Sequence, residues 1–232
     1  MLSILMKRKA QQQNLQPVVA AEITTASTTT RQTFADKPWE ETQLILKQDL
    51  SYLRTLAGTK EKAPFKEALI EKYRPLVQKL LVTHKGSYGN LDVIWWWFLW
   101  HVDLNKLEAI HDDFRDAVNG GLEAPENWKM NGQTAFCGYV FKYSLDAHKG
   151  KKEFKHEYLT DAVKALRSGD LATNAPLKVK MFRLLGDWHF EAGEREKAHD
   201  LFELVMKLDP DGGGRKIKLK DLRQELGYDQ PN

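Results

Sequence analysis

Cysteine is nearly absent from this chain: Cys137 is the only one among 232 residues. An intrachain disulfide is therefore impossible, which fits a protein that folds in a reducing compartment. Cys137 lies at helical spacing with Val140 and Phe141, and we expect a buried thiol there. A catalytic cysteine would need a histidine and an orienting partner, and the sequence identifies neither.

Long hydrophobic runs are missing as well. Residues 93–100, VIWWWFLW, form a run of eight apolar residues, whereas a membrane-spanning helix needs about 20. The N-terminal MLSILMKRK places its apolar residues before its charges, which is the reverse of a secretory signal. We therefore predict no membrane partner.

Signatures of catalysis are scarce. The glycine-rich residues 211–216, DGGGRK, lack the spacing and the Lys-Ser/Thr pair of a Walker phosphate loop, and they favour a turn after a helix. The seven histidines are spread along the chain, and with one cysteine they indicate no zinc site. No Ser-His-Asp or Cys-His pattern is present, so we predict no catalytic residue, no bound metal and no cofactor.

One acidic pattern leaves an alternative open. Glu108, Asp112 and Asp116 follow one another at a spacing of four, and clustered carboxylates can hold Mg²⁺ in metal-dependent nucleases. In a helix this stripe would point away from the apolar face that carries Phe114, so we expect it to be solvated. A contact surface for a basic partner is favoured over a Mg²⁺ site at Asp112 and Asp116.

Charge is unevenly distributed although the net charge is only +3. Residues 60–85 carry seven Lys/Arg and three Glu, and residues 210–223 carry five bases and two acids. Between them, residues 103–126 carry seven acids and two bases. Basic segments thus flank an acidic middle, but a net charge this small does not establish binding to nucleic acid.

The chain is rich in tryptophan, and its apolar residues recur at helical spacing. Four of the seven tryptophans fall in residues 95–100, and eight consecutive apolar residues indicate a central helix that is buried on every side. We place this helix at residues 91–102 and its neighbour at residues 105–118, with Gly120 and Gly121 as the stop. Further apolar sets at spacings of three and four predict other helices, and Pro75 should kink or restart one of them.

The segment 177–210 resembles a tetratricopeptide repeat, whose period is about 34 residues. Gly186 and Ala198 are small enough to let two helices approach closely, and Phe202 would fill the groove between them. Aligning Trp100 with Trp188, a shift of 88 residues, also suggests that one helix-turn-helix unit is used twice. The fold is predicted to be all-α, an irregular stack of helical hairpins with a tetratricopeptide-like C-terminal unit.

We divide the chain into three parts. Residues 1–35 are predicted to be a disordered basic arm, because they have little to bury. Residues 36–172 form a helical core domain around the Trp-rich helix. Residues 173–232 form the tetratricopeptide-like hairpin and a basic C-terminal helix.

Clustered cations are the best candidates for binding nucleic acid, since neutralising phosphates with Lys and Arg gives salt-sensitive affinity that is independent of sequence. An ordinary solvated surface is the alternative, and no element for reading base sequence stands out. The candidate DNA-binding residues are Lys60, Lys62, Lys66, Lys72, Arg74, Lys79, Lys149, Lys151, Lys152, Lys155, Arg215, Lys216, Lys218 and Lys220, with Lys7, Arg8 and Lys9 in the arm.

Residues 41–226 resemble the small subunit of phage terminases of the Peduovirus type, which is labelled the terminase endonuclease (M) subunit. Leu99, Trp100 and Asp103 match a Leu-Trp-Arg-x-Asp-like signature of the family, with His101 in place of the usual Arg. GLEAPENW matches its Gly-Leu-x-x-Pro, and residues 214–216 match its C-terminal Gly-x-Lys-Lys. The tryptophan richness and the long N-terminal arm depart from the family.

The resemblance implies a role in phage DNA packaging in the host cell cytoplasm. A small subunit binds viral double-stranded DNA at the end-forming site and delivers it to the terminase large subunit, which carries the ATPase motor. The pair then matures the genome ends and fills the procapsid. Small subunits are commonly homo-oligomers, often rings. Since no nuclease motif is recognisable here, we expect the cutting chemistry on the large subunit and a non-catalytic role for this chain.

Two other functions remain open. The chain could be a helical-repeat scaffold that binds only protein, as stacks of helical repeats do. It could also be a metal-dependent endonuclease that cuts the packaging site itself. Salt-sensitive DNA binding separates the first alternative from the terminase adaptor, and Mg²⁺-dependent nicking tests the second.

Overall fold

Every regular element in the described residues, 34–126 and 128–228 of a computed structural model, is helical, and no strand occurs among them. The all-α prediction is therefore confirmed. Two short 3-10 helices, Phe34–Asp36 and Leu107–Ala109, accompany nine α-helices in this part of the chain. The α-helices are α1 Trp39–Thr55, α2 Gly58–Thr83, α3 Asp92–Asp103, α4 His111–Asn119, α5 Gly132–Lys149, α6 His156–Ser168, α7 Ala175–Glu191, α8 Arg195–Leu208 and α9 Lys216–Leu226.

Residues 1–33 of the predicted basic arm, with Lys7, Arg8 and Lys9, lie outside the described residues. The last two residues of that arm, Phe34 and Ala35, belong to the first 3-10 helix. The Phe34 ring packs edge-on against Tyr73 of α2, with ring centroids 4.9 Å apart. The order that the structure describes thus begins slightly before the boundary we placed at residue 36.

The central Trp-rich helix α3 is confirmed as buried on nearly every side. Seven of its eight apolar residues from 93 to 100 are buried, and only Trp96 is partly exposed. Trp100 contacts Tyr73 of α2 on one side (ring centroids 5.6 Å), and Trp95 contacts Phe114 of α4 on another (5.8 Å). Because indole and benzyl groups bury a large apolar area, this helix organises the core.

Helix α2 runs unbroken through Pro75, so of the two predicted outcomes the restart is wrong, and the kink remains a prediction. Proline removes the hydrogen bond that its N–H would make to the carbonyl four residues earlier. That carbonyl belongs to Glu71, and Glu71 and Pro75 are both exposed. Water can therefore solvate the unpaired carbonyl, which makes an interruption of the helix unnecessary.

The predicted helix over residues 105–118 is divided in two, which corrects our boundary. Residues 107–109 form a 3-10 turn, and α4 starts at His111 after Ile110, whose φ of −136° is not helical. The apolar positions 107, 110, 114 and 117 are nevertheless all buried, as predicted. Asn105, with a φ of +57°, turns the chain sharply out of α3, and the 3-10 turn completes the connection.

Helices α7 and α8 form a closely packed hairpin, as the sequence predicted. A Cβ atom added at Gly186 would lie 2.6 Å from Cε1 of Phe202, so only glycine allows this approach. Helix α9 packs on α8, where Leu219 and Leu222 join Phe202 in a small apolar cluster. The likeness to a tetratricopeptide repeat remains a prediction.

The two segments related by a shift of 88 residues do not form the same unit. The second one is the α7–α8 hairpin, whereas the first is interrupted by the 3-10 turn. Their paired histidines also differ, since His101 is buried against the Trp97 carbonyl oxygen (2.8 Å) and His189 binds the exposed Glu194.

One apolar cluster extends from Leu46 to Val205. It includes Leu171 and Val179, which lie on either side of the domain boundary that we predicted at residue 172. That division remains a prediction. No helix in the described part of the chain is long and apolar enough to span a membrane.

Candidate nucleic-acid interface

Most of the candidate cations on α2 are already paired with acids. Lys66 extends to Asp103 at the end of α3, with 2.6 Å between Nζ and Oδ2. Among the described residues, Lys60 and Lys62 have no acid within ion-pairing distance. The other pairs on α2 are Lys72–Asp49, Arg74–Glu71 and Lys79–Asp36. Three of these pairs join α2 to another element and Arg74–Glu71 lies within α2, so α2 is less cationic than its sequence indicated.

The four candidate cations near the C-terminus also divide into two that are paired with an acid and two that are not. Arg215 and Lys218 both bind the Asp187 carboxylate on α7, at 2.9 Å from Arg215 Nε and 3.1 Å from Lys218 Nζ. Lys218 Nζ also lies 4.8 Å from the centre of the Phe190 ring. These two residues therefore anchor α9 to α7. Lys216 and Lys220 are exposed and have no ion pair in the described part of the chain.

Residues 149–155, which we call the lysine loop, carry four exposed candidates: Lys149, Lys151, Lys152 and Lys155. None of the four lies within ion-pairing distance of an acid in residues 34–126 and 128–228. The loop joins the C-terminal end of α5 to the N-terminal end of α6, where helix-dipole ends of opposite sign meet. It is the largest group of unpaired candidate cations that the sequence brought together.

Hydrogen bonds to α5 give the lysine loop a defined shape. The Lys151 N–H donates to the His148 carbonyl and the Lys152 N–H donates to the Ala147 carbonyl, each at 3.1 Å. Lys151 adopts a φ of +49°, in the left-handed region. The Lys155 N–H donates to the Tyr143 hydroxyl at 3.0 Å. The loop thus presents its lysines from a fixed backbone.

Four rings pack against the lysine loop, and we call them the aromatic cluster: His148, Phe154, His156 and Trp188. The Phe154 ring centroid lies 3.9 Å from that of His156 and 5.3 Å from that of Trp188. His148 lies 5.6 Å from Trp188. Sequence reasoning missed this cluster, although Phe154 and His156 alternate with lysine in Lys-Lys-Glu-Phe-Lys-His.

Two cavities next to Asp103 lie near the lysine loop and the start of α2. The larger, of about 620 Å³, is lined by Lys152 and Phe154 and also by four acids, Asp103, Glu108, Asp146 and Glu153. The smaller, of about 300 Å³, is lined by Lys62, Lys66 and the same Asp103. Lys62 and Lys152 therefore lie at cavities that share one carboxylate, which is paired with Lys66.

Two tyrosines form the floor of the larger cavity. Burial raises the pKa of Tyr139 to about 12, and burial together with a hydrogen bond to Glu108 raises the pKa of Tyr143 to about 12. Both phenols therefore stay protonated at neutral pH. The Tyr143 hydroxyl donates its proton to Glu108 and accepts from the Lys155 N–H, so its hydrogen bonds are already made within the protein.

The acidic residues of the alternative metal site lie around an arginine. Arg115 lies 3.5 Å from Asp112 and 3.2 Å from Asp116. Burial, and then the charges of Asp116 and Asp112, raise the pKa of Asp113. In the described residues, no group of three or more His, Cys, Asp or Glu side chains is arranged to hold a metal ion. Glu108 is separated from this group because it belongs to the 3-10 turn.

Cys137 is fully buried, as predicted. Burial raises the pKa of its thiol to about 12. Since the thiolate is the nucleophilic form of cysteine, the side chain acts here as an apolar packing group.

Comparison with known proteins gives one match. A protein-family model described as "Phage small terminase subunit" matches residues 43–175. No curated protein and no solved structure matches the chain. The matched region is more than half of the chain and contains α2 and the lysine loop, and it ends before the cations of α9.

Proposed function

Because the chain belongs to the phage small terminase subunit family, we propose that it is the DNA-recognising adaptor of a packaging terminase. Membership implies a role in phage DNA packaging. The chain binds viral double-stranded DNA at the end-forming site and delivers it to the large subunit. The large subunit supplies the ATPase and nuclease activities that mature the genome ends and fill the procapsid.

The observation that carries the DNA contact is the lysine loop. Its four exposed lysines have no acidic partner in the described residues, whereas six of the other ten candidates are held in ion pairs. Cations that are free of internal partners can neutralise phosphates without first breaking a contact. Lys62 lines the cavity beside Asp103, and Lys60 is an exposed lysine in the first turn of α2. We propose that these six lysines form the contact with the DNA backbone.

The test is a salt titration of DNA binding by fluorescence anisotropy. The variant Lys151→Gln/Lys152→Gln should bind more weakly at every salt concentration. Each lost phosphate contact reduces the slope of log affinity against log salt by roughly 0.9, so the double variant should lose up to about two units. The matched control is Lys164→Gln/Lys207→Gln, which removes two exposed lysines from α6 and α8.

Equal slopes for the two double variants would contradict the lysine loop as the DNA contact. If the wild-type chain failed to bind DNA even at low salt, the scaffold function would replace the adaptor. The C-terminal region, outside the family match, is the part we propose as a tetratricopeptide-like unit for protein partners. Co-purification of the large subunit with the wild-type chain that is lost in Lys216→Glu/Lys220→Glu, at two exposed positions on α9, would support that role.

We also propose that the adaptor works as a homo-oligomer, in a ring. Repeating the lysine loop around a ring would let several weak backbone contacts act together, which raises avidity without any new contact. Light scattering of the purified chain gives the number of copies. A monomer at the concentrations that bind DNA would contradict the ring.

A further inference from the structure

The aromatic cluster presents a ring to solvent directly beside unpaired lysines. His156 is exposed, and its imidazole lies 3.9 Å from the half-buried Phe154 ring at an interplanar angle of 30°. Trp188 supports both rings edge-on, at 5.3 Å from Phe154 and 5.1 Å from His156. Phe154 packs on the imidazole, and His156 as a whole remains exposed to solvent.

An aromatic ring and a lysine bind different parts of DNA: the ring stacks on a base, and the lysine binds a phosphate. Inside a duplex the bases are stacked on one another, so a protein ring can reach the backbone and the base edges in the grooves but not the face of a base. An unpaired base has a free face that can stack on an aromatic side chain, and such stacking is insensitive to base identity. A site that combines an aromatic ring with lysines should therefore bind DNA that contains an unpaired strand more tightly than a fully paired duplex.

We propose that the aromatic cluster takes an unpaired nucleobase, which stacks on His156 over Phe154 while Lys151, Lys152 and Lys155 hold its flanking phosphates. This inference rests on the proposed DNA-binding function and specifies the form of DNA that the site prefers. A duplex with a single-stranded extension satisfies both the lysine surface and the ring. The Trp188 indole N–H is buried and has no hydrogen-bond partner in the described residues, so Trp188 serves as an apolar support for the two outer rings.

The experiment compares three DNA probes: a blunt duplex, the same duplex with a single-stranded extension, and the extension strand alone. The extension carries 2-aminopurine, whose fluorescence falls when the base stacks. We expect the extended duplex to bind roughly ten-fold more tightly than the blunt duplex, a factor typical of stacking one base on an aromatic ring. We also expect the 2-aminopurine signal to be quenched on binding.

Two substitutions at one exposed position separate stacking from charge. His156→Ala should lose the quenching and most of the preference for the extension, while its affinity for the blunt duplex stays unchanged. His156→Phe keeps a ring without ionisable nitrogens and should retain both effects. Tyr52→Ala, which removes an aromatic ring that is 54% exposed on α1, is the matched control and should behave as wild type.

Equal binding of the blunt and extended duplexes, or quenching that survives His156→Ala, would overturn the stacking inference. If Lys151→Gln/Lys152→Gln still weakened binding in that case, the proposed DNA contact would stand alone. If no probe bound in a salt-sensitive way, the proposed function itself would fail.

Discussion

A single missing methyl group allows the close approach of α7 and α8. Gly186 of α7 faces Phe202 of α8, and an added Cβ would lie 2.6 Å from Cε1 and 2.9 Å from Cδ1 of that ring. Phe202 is fully buried, so its ring cannot move aside. The sequence predicted the role of Gly186 correctly, because a glycine at that offset has few other uses inside a helix.

We expect Gly186→Ala to lower the free energy of unfolding by about 1–3 kcal/mol, the usual cost of overpacking a core. The measurement is chemical denaturation followed by tryptophan fluorescence. Gly138→Ala is the matched control, because only Leu177 Cδ2 approaches its added Cβ, at 3.9 Å. That control should be neutral or stabilising by up to about 1 kcal/mol, the difference in helix propensity. Equal effects of the two substitutions would contradict the close approach.

Two buried histidines should make stability depend on pH. Burial is the main cause that lowers the pKa of His101 and of His111 from 6.5. His101 is held by the Trp97 carbonyl, and His111 stacks on Tyr158 with ring centroids 3.6 Å apart. The unfolded chain therefore binds protons more readily than the folded chain once the pH falls below about 6.5.

The contribution of these two neutral histidines to the free energy of unfolding should be fully present above pH 6.5. It should be lost progressively between pH 6.5 and 5, by up to about 1.4 kcal/mol per pH unit for each histidine. His111→Phe keeps the contact with Tyr158 and should reduce the pH dependence. The control is His84→Asn, at the exposed end of α2. A pH dependence that is unchanged in His111→Phe would show that other groups cause it.

Among the contacts between helices, a half-buried carboxylate holds the last helix in place. Asp187 on α7 accepts hydrogen bonds from Arg215 and Lys218, and its side chain is only 18% exposed. Two cations around one acid would repel each other if that acid were lost. The attachment of α9 to α7 therefore depends on Asp187 more than on either cation.

We expect Asp187→Asn to destabilise the attachment of α9 by about 1–3 kcal/mol, the range for losing a charged hydrogen-bond partner. Hydrogen exchange of residues 216–226 is the measurement, and those amides should exchange faster while α3 stays protected. Asp221→Asn removes an exposed acid on α9 itself and serves as the control. Uniformly faster exchange across the whole chain would indicate general unfolding instead.

The helices themselves could largely be predicted from sequence, because burial imposes a local period on the apolar residues. The Trp-rich helix was placed at residues 91–102 and runs over Asp92–Asp103. The break at Ile110 could not be foreseen, since positions 107, 110, 114 and 117 point inward with or without it. Contacts between residues that are far apart in the sequence could not be predicted either. Lys66 and Asp103 are 37 residues apart, and no sequence pattern indicates that they form an ion pair. For the same reason the aromatic cluster was missed.

For the chain as a whole, internal pairing determines which charges can meet a partner. The sequence predicted fourteen DNA-binding cations within the described residues, and the structure places six of them against acids. The remaining cations include the whole lysine loop. A count of basic residues therefore overestimates how many cations are free to bind an anionic partner.

The proposed division of labour with the large subunit predicts that the isolated chain does not nick DNA. Asp112 and Asp116 lie beside Arg115, and the nuclease activity is assigned to the partner. Incubating a supercoiled plasmid with the purified chain and Mg²⁺ should leave it intact. Nicking by the wild type that disappears in Asp112→Asn/Asp116→Asn would establish the endonuclease alternative, and Asp161→Asn is the control for a change of surface charge.

The burial of α3 on nearly all sides has a consequence for how the protein is made. A nascent chain that has emerged from the ribosome only as far as Asp103 exposes Trp95 and Phe98, because Phe114 and Trp128, which cover them, have yet to emerge. Exposed apolar surface of this kind promotes aggregation. Products that terminate before Trp128 should therefore be insoluble, and stable folding begins only after Trp128 has left the ribosome.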